Sequence, residues 1–309
     1  MKAIYLDKKN GHKSLILGDI PQPYPQEGEA LIKVHATAIM PTEFRWIPTF
    51  NTPTGKPRPF PIVLSHEFSG TIAALGAGVT GFKVGESVYG LNDWFTNGAQ
   101  AEYCVAPATA LSHKPESLDH IQSAVTPISA LTAWQGIFEK LKLQRGQSIL
   151  IHGGAGAVGT FVVQLAHQSG AHVIATASSA SMDFVRTLGA DEVIDYQNTQ
   201  FEDVVQDVAT VFDGVGGDTL QRSWSVLKPG GKLVTIATES EGATDQRTRD
   251  AFMLVRADGS QLTEIAELID AGELQVFVAG VFPLAGAREA YDRAQKGKLR
   301  GKIALRVME

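Results

Sequence analysis

A glycine-rich turn between an apolar strand and an amphipathic helix constrains the fold of this chain more than any other feature. In "SILIHGGAGAVGT" the residues Gly154, Gly156 and Gly159 fit the pattern G-x-G-x-x-G. Apolar residues at 158, 161, 162, 165 and 166 then follow the spacing of one helix face. Strands and helices alternate from this turn to about residue 238, which predicts an α/β fold with a doubly wound, mostly parallel sheet. The polar tract 239–250 is interpreted as a loop.

The glycine pattern also indicates a ligand. Glycines let the backbone turn tightly and approach a pyrophosphate, whose negative charge is stabilised at the positive end of the following helix. The pattern is specific because it follows a strand, opens a helix and precedes a second strand, "HVIATA". A glycine-rich turn without a ligand is the less favoured alternative. We predict a dinucleotide-binding loop made of Gly154, Ala155, Gly156, Ala157, Val158 and Gly159.

The end of the second strand bears on which dinucleotide is bound. An acidic residue about 20 residues after the glycines would hold the adenosine ribose of NAD. Here "ATASSASM" provides the neutral hydroxyls of Ser178 and Ser179, which do not repel a 2′-phosphate, and either Arg186 or Tyr196 could reach that phosphate. We therefore predict NADP(H) as the cofactor. The alternative is that the two serines cap a helix beginning at Ala180.

The first 115 residues or so have a different character. Short β-rich runs such as "EALIKVHATAI" and "ESVYGL" are separated by Gly, Pro and Asn, which is typical of a compact antiparallel domain. The 309 residues are 44% hydrophobic and 19% charged, enough for two domains with their own cores.

Composition excludes several classes of site and partner. The chain has one cysteine, Cys104, so one chain can form neither a disulfide nor a zinc site that needs two or four cysteines. The formal net charge of −6 and the lack of a Lys or Arg block argue against nucleic-acid binding. No run approaches the roughly 18 apolar residues of a membrane span, and "MKAIYLDKKN" has no apolar signal core. We expect a cytoplasmic protein with a small-molecule partner, no nucleic acid and no membrane.

Several sequence blocks, in order along nearly the whole chain, resemble the medium-chain dehydrogenase/reductase superfamily. Within it the chain is similar to the zinc-independent branch of quinone oxidoreductases and alkenal/enone reductases. The blocks include "LSHEFSGTIAALGAGVTGFKVGESVYG", "AQAEYCVAP", "ISALTAWQGI", "ILIHGGAGAVGTFVVQLA", "LGADEVIDY", "FDGVGGDTL", "LKPGGKLVTI" and "GKLRGKIAL".

The resemblance implies a two-domain architecture. A GroES-like catalytic domain would span residues 1–115 and be completed by residues 257–309, with a Rossmann NADP(H)-binding domain at residues 116–256 between them. The active site would lie in the cleft separating these domains. The resemblance also implies a homodimer, paired through the sheet edge near "AFMLV".

The resemblance further implies that the site works without zinc. Zinc-containing members carry a cysteine where this chain has Met40 and another near "TPISALTAW", and both are missing here. His66 and Glu67 in "VLSHEFSG" resemble a retained metal motif. They are interpreted as a hydrogen-bonded pair lining the cleft floor; alternatively, one of them relays the proton that completes reduction, since histidine titrates near neutrality.

Other site residues follow from the resemblance alone. The substrate would meet the side chains of Met40, Trp46, Phe50, Trp94 and Phe252. Additional contacts to the cofactor would come from Thr132, Val215, Gly216 and Lys302. Aromatic walls suit flat conjugated ligands, although aromatic side chains in such loops are more often ordinary packing.

These expectations favour an NADPH-dependent, zinc-independent reductase of quinones or α,β-unsaturated carbonyl compounds. Such a reaction needs a hydride on carbon and a proton on oxygen or on the α-carbon, whereas alcohol oxidation needs prior deprotonation, which this superfamily achieves with zinc. Two alternatives remain open. One is an alcohol dehydrogenase that uses a metal through His66, Glu67 and Glu43, and the other is a catalytically silent NADP(H)-binding protein.

The missing cysteines predict that the purified protein contains no stoichiometric zinc and keeps its activity in the presence of a chelator. Elemental analysis and activity assays before and after chelation test this. One equivalent of metal per chain, with activity lost on its removal, would contradict the prediction.

Overall fold

The computed structural model of the chain describes residues 1–308 and divides the protein into two units. The first unit contains residues 1–128 and the C-terminal segment from Arg256 onward, and the second unit is Ser129–Val255. No helix within residues 1–308 has the length and apolar character needed to cross a bilayer.

Fifteen strands and nine α-helices lie in residues 1–308. The strands are β1 (Lys2–Leu6), β2 (Leu15–Asp19), β3 (Glu29–Ala38), β4 (Ile62–Val63), β5 (Glu67–Leu75), β6 (Ser87–Leu91), β7 (Tyr103–Pro107), β8 (Leu111–His113), β9 (Ser148–His152), β10 (His172–Ala177), β11 (Glu192–Asp195), β12 (Val208–Asp213), β13 (Leu227–Thr235), β14 (Val278–Pro283) and β15 (Lys302–Arg306). The helices are α1 (Ile47–Phe50), α2 (His120–Ala124), α3 (Pro127–Trp134), α4 (Gly159–Gln168), α5 (Met182–Thr187), α6 (Gly217–Ser223), α7 (Gln246–Ala251), α8 (Gly259–Asp270) and α9 (Ala287–Gln295). A π-helix, Gln135–Leu141, continues directly from α3.

The first unit is built from two β-sheets. A seven-stranded sheet has the order β14-β15-β3-β5-β6-β8, with β7 also paired to β3, and a three-stranded sheet has the order β2-β1-β4. Along β3 the residues Ala30, Ile32 and Val34 alternate into one core cluster, where they meet Phe68 and Ile72 of β5. This two-residue period is what the antiparallel pattern predicts.

The C-terminal segment belongs to the first unit through specific contacts. Strand β15 pairs antiparallel with β3, with Ala304 opposite Ala38. The buried Tyr89 hydroxyl on β6 donates to the Leu262 carbonyl of α8 at 2.6 Å. This return of the chain matches the GroES-like arrangement expected from the sequence.

The first boundary between the units lies after Ile128, whereas the sequence placed it after residue 115. Helix α2 lies between these two points and begins with a capping box made by Asp119 and Gln122. The Ile128 amide then donates to the Glu67 carboxylate of β5 at 2.9 Å. Helix α2 also packs against β3 and β5 of the first unit, so the boundary lies thirteen residues further along the chain than predicted. The second boundary is one residue from the predicted position.

The second unit confirms the predicted doubly wound α/β fold. Its five strands are parallel and have the order β11-β10-β9-β12-β13. Ile149, Leu150 and Ile151 of β9 are all buried, as expected for a parallel strand covered on both faces. The strand order reverses between β9 and β12, where His152 lies opposite Asp213. Ligands of such sheets bind beyond the carboxyl ends of the strands at this point.

The tract 239–250 is not only a loop. Helix α7 begins after Asp245, whose side chain accepts hydrogen bonds from the amide and the hydroxyl of Thr248 at 2.9 and 2.7 Å. This N-cap satisfies backbone donors that a polar, irregular sequence would otherwise leave to water. The pairing of an aspartate with a threonine three residues later was the signal that sequence analysis missed.

Candidate active site

The glycine loop of the second unit has the geometry of a dinucleotide cradle. Helix α4 begins at Gly159, where a Cβ atom would lie 2.0 Å from the Gly153 carbonyl oxygen. A Cβ atom on Gly154 would lie 3.1 Å from both the Ala175 and the Val185 side chains. Only glycine lets the loop pack this closely between strand and helix, which leaves its backbone free to face a pyrophosphate at the helix N-terminus. The residues present therefore fit an NAD(P) cofactor.

A second loop, after β12, lies at the same switch point. The buried Asp213 carboxylate accepts hydrogen bonds from the amides of Val215 and Gly216 at 3.1 and 3.0 Å and from the Thr235 hydroxyl at 2.7 Å. Gly216 is buried with a φ of 80°, and Val215 is exposed. Asp213 thus fixes the backbone where the sequence predicted cofactor contacts. Sequence analysis missed it, although an acidic residue ending a buried strand before "GVGG" was the available signal.

The region predicted to bind the adenosine ribose of the cofactor contains a carboxylate, Asp195, that was not predicted from the sequence. The Ser179 hydroxyl donates to Asp195 Oδ2 at 2.5 Å, and Asp195 ends the neighbouring strand β11. This hydrogen bond holds the pKa of Asp195 below its usual value. Ser178 lies 3.5 Å from the Ser181 hydroxyl, and neither serine makes a side-chain cap. Ser178 does stand at the N-cap position of the 3₁₀-helix Ser179–Ser181, but its hydroxyl makes no capping hydrogen bond, so the helix-cap alternative holds in position only.

The two residues expected near a 2′-phosphate are both at the surface of the second unit. Arg186 donates to Asp183, one turn earlier on α5, at 2.7 Å. Tyr196 is exposed directly after β11. Thr132 is buried on α3. Their contacts with a cofactor stay predictions.

In the first unit, Glu67 and Lys302 form a buried ion pair. The Lys302 ammonium lies against Glu67 Oε1, and Glu67 Oε2 accepts from the Ile128 amide. Burial raises the pKa of Glu67, and the Lys302 charge opposes that rise. Lys302, proposed from the sequence as a phosphate contact, has its charge directed at Glu67 in this structure.

His66 has both ring nitrogens engaged and is 1% exposed. Asn92 donates through Nδ2 to the Asn97 carbonyl at 3.0 Å, so its Oδ1 faces His66 Nδ1 at 2.8 Å. His66 Nδ1 must therefore carry the proton, which leaves the Nε2 lone pair facing Glu43 Oε1 at 3.3 Å. The Ser65 amide donates to the same Glu43 oxygen at 2.8 Å.

The electrostatics of the Glu43 and His66 pair favour its uncharged form. Burial raises the pKa of Glu43 to about 8 and lowers the pKa of His66 to about 4. Both shifts disfavour the ionised state, because neither side chain has access to water. At neutral pH the pair consists of a carboxylic acid beside a neutral imidazole. Glu43 is thus the partner of His66, rather than Glu67 as the sequence suggested.

The aromatic residues predicted to contact substrate separate into two groups. The rings of Trp46 and Trp94 meet edge to face with centroids 5.0 Å apart, and Trp94 lies 5.1 Å from the His66 ring. Phe50 instead is 8% exposed and packs in a core cluster with Ile62 and Leu64. Its role in a substrate pocket is a prediction that this packing contradicts.

Two further predicted pocket residues are partly buried. Met40 lies between β3 and the turn that carries Glu43. Phe252 belongs to the second unit, where it bridges Thr235 at the end of β13. For both residues, a role in substrate binding stays a prediction.

Comparisons with known proteins identify the family. The alcohol dehydrogenase GroES-like domain matches residues 26–116, and the zinc-binding dehydrogenase domain matches residues 188–305. The mitochondrial NAD(P)H oxidoreductase RTN4IP1 of Danio rerio is 31% identical over 93% of this chain and 85% of its own length. The chloroplastic NADPH-dependent alkenal/one oxidoreductase of Arabidopsis thaliana is 31% identical over 99% of this chain and 79% of its own length.

Solved structures support the same assignment. The quinone oxidoreductase of Coxiella burnetii matches with a TM-score of 0.90 and 30% identity over 100% of this chain and 99% of that one. The chain belongs to the medium-chain dehydrogenase/reductase superfamily. A mycobacterial member solved in complex with NADPH matches with a TM-score of 0.85 and 29% identity, over 99% of this chain and 100% of that one.

The side chains that could bind a metal ion do not form a metal site in residues 1–308. Within residues 1–308 no three His, Cys, Asp or Glu side chains converge on one point. His66 directs its nitrogens at Asn92 and Glu43, and Glu67 is held by Lys302. The alternative that used His66, Glu67 and Glu43 as metal ligands therefore lacks its geometry.

The raised pKa of Glu43 predicts how stability depends on pH. A group whose folded pKa is raised stabilises the protein below its unfolded pKa, here 4.5, and loses that contribution as pH rises through the folded value near 8. The lowered pKa of His66 acts only below its unfolded value of 6.5. Between pH 6.5 and 8 the wild type should lose about 2 kcal/mol of unfolding free energy.

Glu43→Gln should remove this loss, because an amide does not titrate in this range and its oxygen can still accept from the Ser65 amide. Denaturant unfolding at several pH values measures how the unfolding free energy changes with pH. Glu86→Gln is the matched control, since the pKa of Glu86 is lowered and the group does not titrate in this range. If the unfolding free energy of Glu43→Gln falls with pH as steeply as that of the wild type, Glu43 is already ionised in the folded protein.

Proposed function

We propose that this protein is an NADPH-dependent reductase of quinones or α,β-unsaturated carbonyl compounds. The observation that carries the proposal is the state of the former metal motif: His66 Nδ1 faces Asn92 Oδ1, His66 Nε2 lies 3.3 Å from Glu43 Oε1, and Met40 stands where a ligand would be needed. Relatives named as a quinone oxidoreductase and an alkenal/one oxidoreductase support it. Electron-poor substrates of this kind can accept a hydride without prior deprotonation.

Nicotinamide, when bound, supplies the hydride. The residues of the chain contribute binding, orientation and exclusion of water. The glycine loop and the backbone fixed by Asp213 would hold the dinucleotide. The perpendicular rings of Trp46 and Trp94 offer an apolar surface suited to a flat conjugated molecule.

The direct test is turnover of a substrate panel. Purified protein is mixed with NADPH and with quinones, 2-alkenals, enones and simple alcohols, and cofactor absorbance is followed. We expect oxidation of NADPH with members of the first three classes and no reduction of NADP⁺ with the alcohols. Tight NADPH binding without turnover of any compound would favour the silent binding protein instead. Metal-dependent alcohol oxidation would contradict the proposal.

We also propose NADPH rather than NADH as the preferred cofactor. The name of the Arabidopsis thaliana relative and the mycobacterial complex with NADPH support this choice. The Asp195 carboxylate beside Ser179 acts against it, because like charges repel a 2′-phosphate. The preference of the wild type should therefore be mild.

Two substitutions test the position of the adenosine end. Ser178→Asp places a second carboxylate there and should shift the preference at least about tenfold towards NADH, since each 1.4 kcal/mol is tenfold. Asp195→Asn removes the existing carboxylate and should shift it towards NADPH. The ratio of kcat/KM values for the two cofactors measures both effects. If neither ratio changes, the adenosine binds elsewhere.

The homodimer and the cytoplasmic location inferred from the sequence stay predictions. Light scattering of the purified protein measures the first, and microscopy of the tagged protein in its native cell measures the second.

A further inference from the structure

Arg58 is a buried arginine whose hydrogen bonds go only to amide oxygens. Arg58 is only 9% exposed to solvent. Nη1 donates to the Pro48 and Thr49 carbonyls at 3.2 and 3.1 Å, and Nη2 donates to the Thr96 carbonyl at 2.7 Å and to Asn97 Oδ1 at 3.3 Å. One guanidinium therefore joins two segments of the first unit that are far apart in sequence.

The first of these segments carries Trp46. The Glu43 carbonyl accepts from the Trp46 amide at 3.3 Å and from the Thr49 hydroxyl at 2.8 Å, which closes a compact turn. Pro48 and Thr49 follow within the short helix α1 and supply the carbonyls that Arg58 contacts. Four residues make too short a helix to hold its own position, so the turn depends on such external contacts.

The second segment is the loop from Asn92 to Gly98, which carries Trp94. Its ends are fixed, because the Asn92 amide donates to the His66 carbonyl and the Gly98 amide donates to the Val63 carbonyl. A Cβ atom on Gly98 would lie 2.2 Å from the Leu64 carbonyl oxygen. Asp93 and residues 96–98 of the loop border a cavity of about 300 Å³ that is also lined by residues outside the loop, among them Tyr24 and Tyr103. Packing on that side is incomplete, so the hydrogen bonds from Arg58 to Thr96 and Asn97 contribute to the position of the loop.

We propose that Arg58 is a positioning residue that fixes the spacing of Trp46 and Trp94 and so limits the size of the substrate that fits beside them. This inference rests on the proposed reductase function. Burying a charge among neutral oxygens does not favour stability, and apolar residues of similar volume often stabilise a protein more. The benefit is geometric, because a planar guanidinium can hold four oxygens from two segments at once.

The chemistry of arginine predicts how its replacements differ. Lysine keeps the charge but presents a single ammonium, which cannot bridge both segments in the same geometry. Glutamine offers one amide group and no charge. Arg58→Lys should therefore loosen the tryptophan pair partly, and Arg58→Gln should loosen it fully.

The experiment compares Arg58→Gln and Arg58→Lys with Arg288→Gln. Arg288 is the matched control because its guanidinium also donates to a carbonyl of the first unit, that of Leu15, away from both tryptophans. All variants are made with Trp134 and Trp224 replaced by phenylalanine, which leaves Trp46 and Trp94 as the only two of the four tryptophans. Circular dichroism then reports the coupling of the two rings, and acrylamide quenching reports their accessibility.

Activity is measured with a two-ring quinone and with a short 2-alkenal. For Arg58→Gln we expect loss of the tryptophan coupling, stronger quenching and a change of about tenfold in the ratio of the two KM values, with kcat for the alkenal nearly unchanged. Arg58→Lys should lie between this variant and the control, and NADPH affinity should stay constant throughout. If Arg58→Gln does not fold, Arg58→Lys decides by the same measurements.

A folded Arg58 variant with the coupling, quenching and KM ratio of the control would overturn the inference. So would an equal loss of kcat for both substrates with an unchanged KM ratio, which indicates general destabilisation. If the wild type turns over neither substrate, the proposed function is wrong instead. In that case the tryptophan signals still show whether Arg58 holds the pair.

Discussion

The buried pair of Glu43 and His66 is the interaction on which the site of the first unit depends. His66 reaches Asn92 through Nδ1 and Glu43 through Nε2, and it supports the Trp94 ring. Asn92 in turn donates to the carbonyl of Asn97. Glu43 Oε2 is buried and has no hydrogen-bond partner among the described residues, so a negative charge on this carboxyl would be poorly compensated. An uncharged pair avoids burying two charges.

His66 and Glu67, which the sequence resemblance relates to a metal motif, are here held by other side chains. In a metal site the imidazole would direct a nitrogen at the ion, whereas here a carboxylic acid takes that place. The lysine paired with Glu67 neutralises the other acidic member of the motif. In the second unit, the glycine loop packs so closely between strand β9 and helix α4 that only glycine fits at Gly154 and Gly159.

Sequence analysis predicted the features that depend on local pattern. The glycine loop, the helix after it and the parallel sheet follow from periodicity and turn chemistry over a few residues. The partner of His66 could not be predicted this way, because Glu43 lies more than twenty positions earlier and meets it only through the fold. Asp195 was missed for the same reason, since its contact with Ser179 joins two neighbouring strands. Phe50 was misplaced because an aromatic residue in a loop-like sequence can equally face a core.

The protonation state of His66 tests the central claim most directly. Nitrogen NMR of the protein with isotopically labelled histidine distinguishes the two neutral tautomers from the imidazolium, and a His66→Gln variant assigns the signal among the eight histidines. The account predicts a neutral ring with the proton on Nδ1 at neutral pH, persisting until the pH approaches about 4. An imidazolium at neutral pH, or a neutral ring protonated on Nε2, would contradict it.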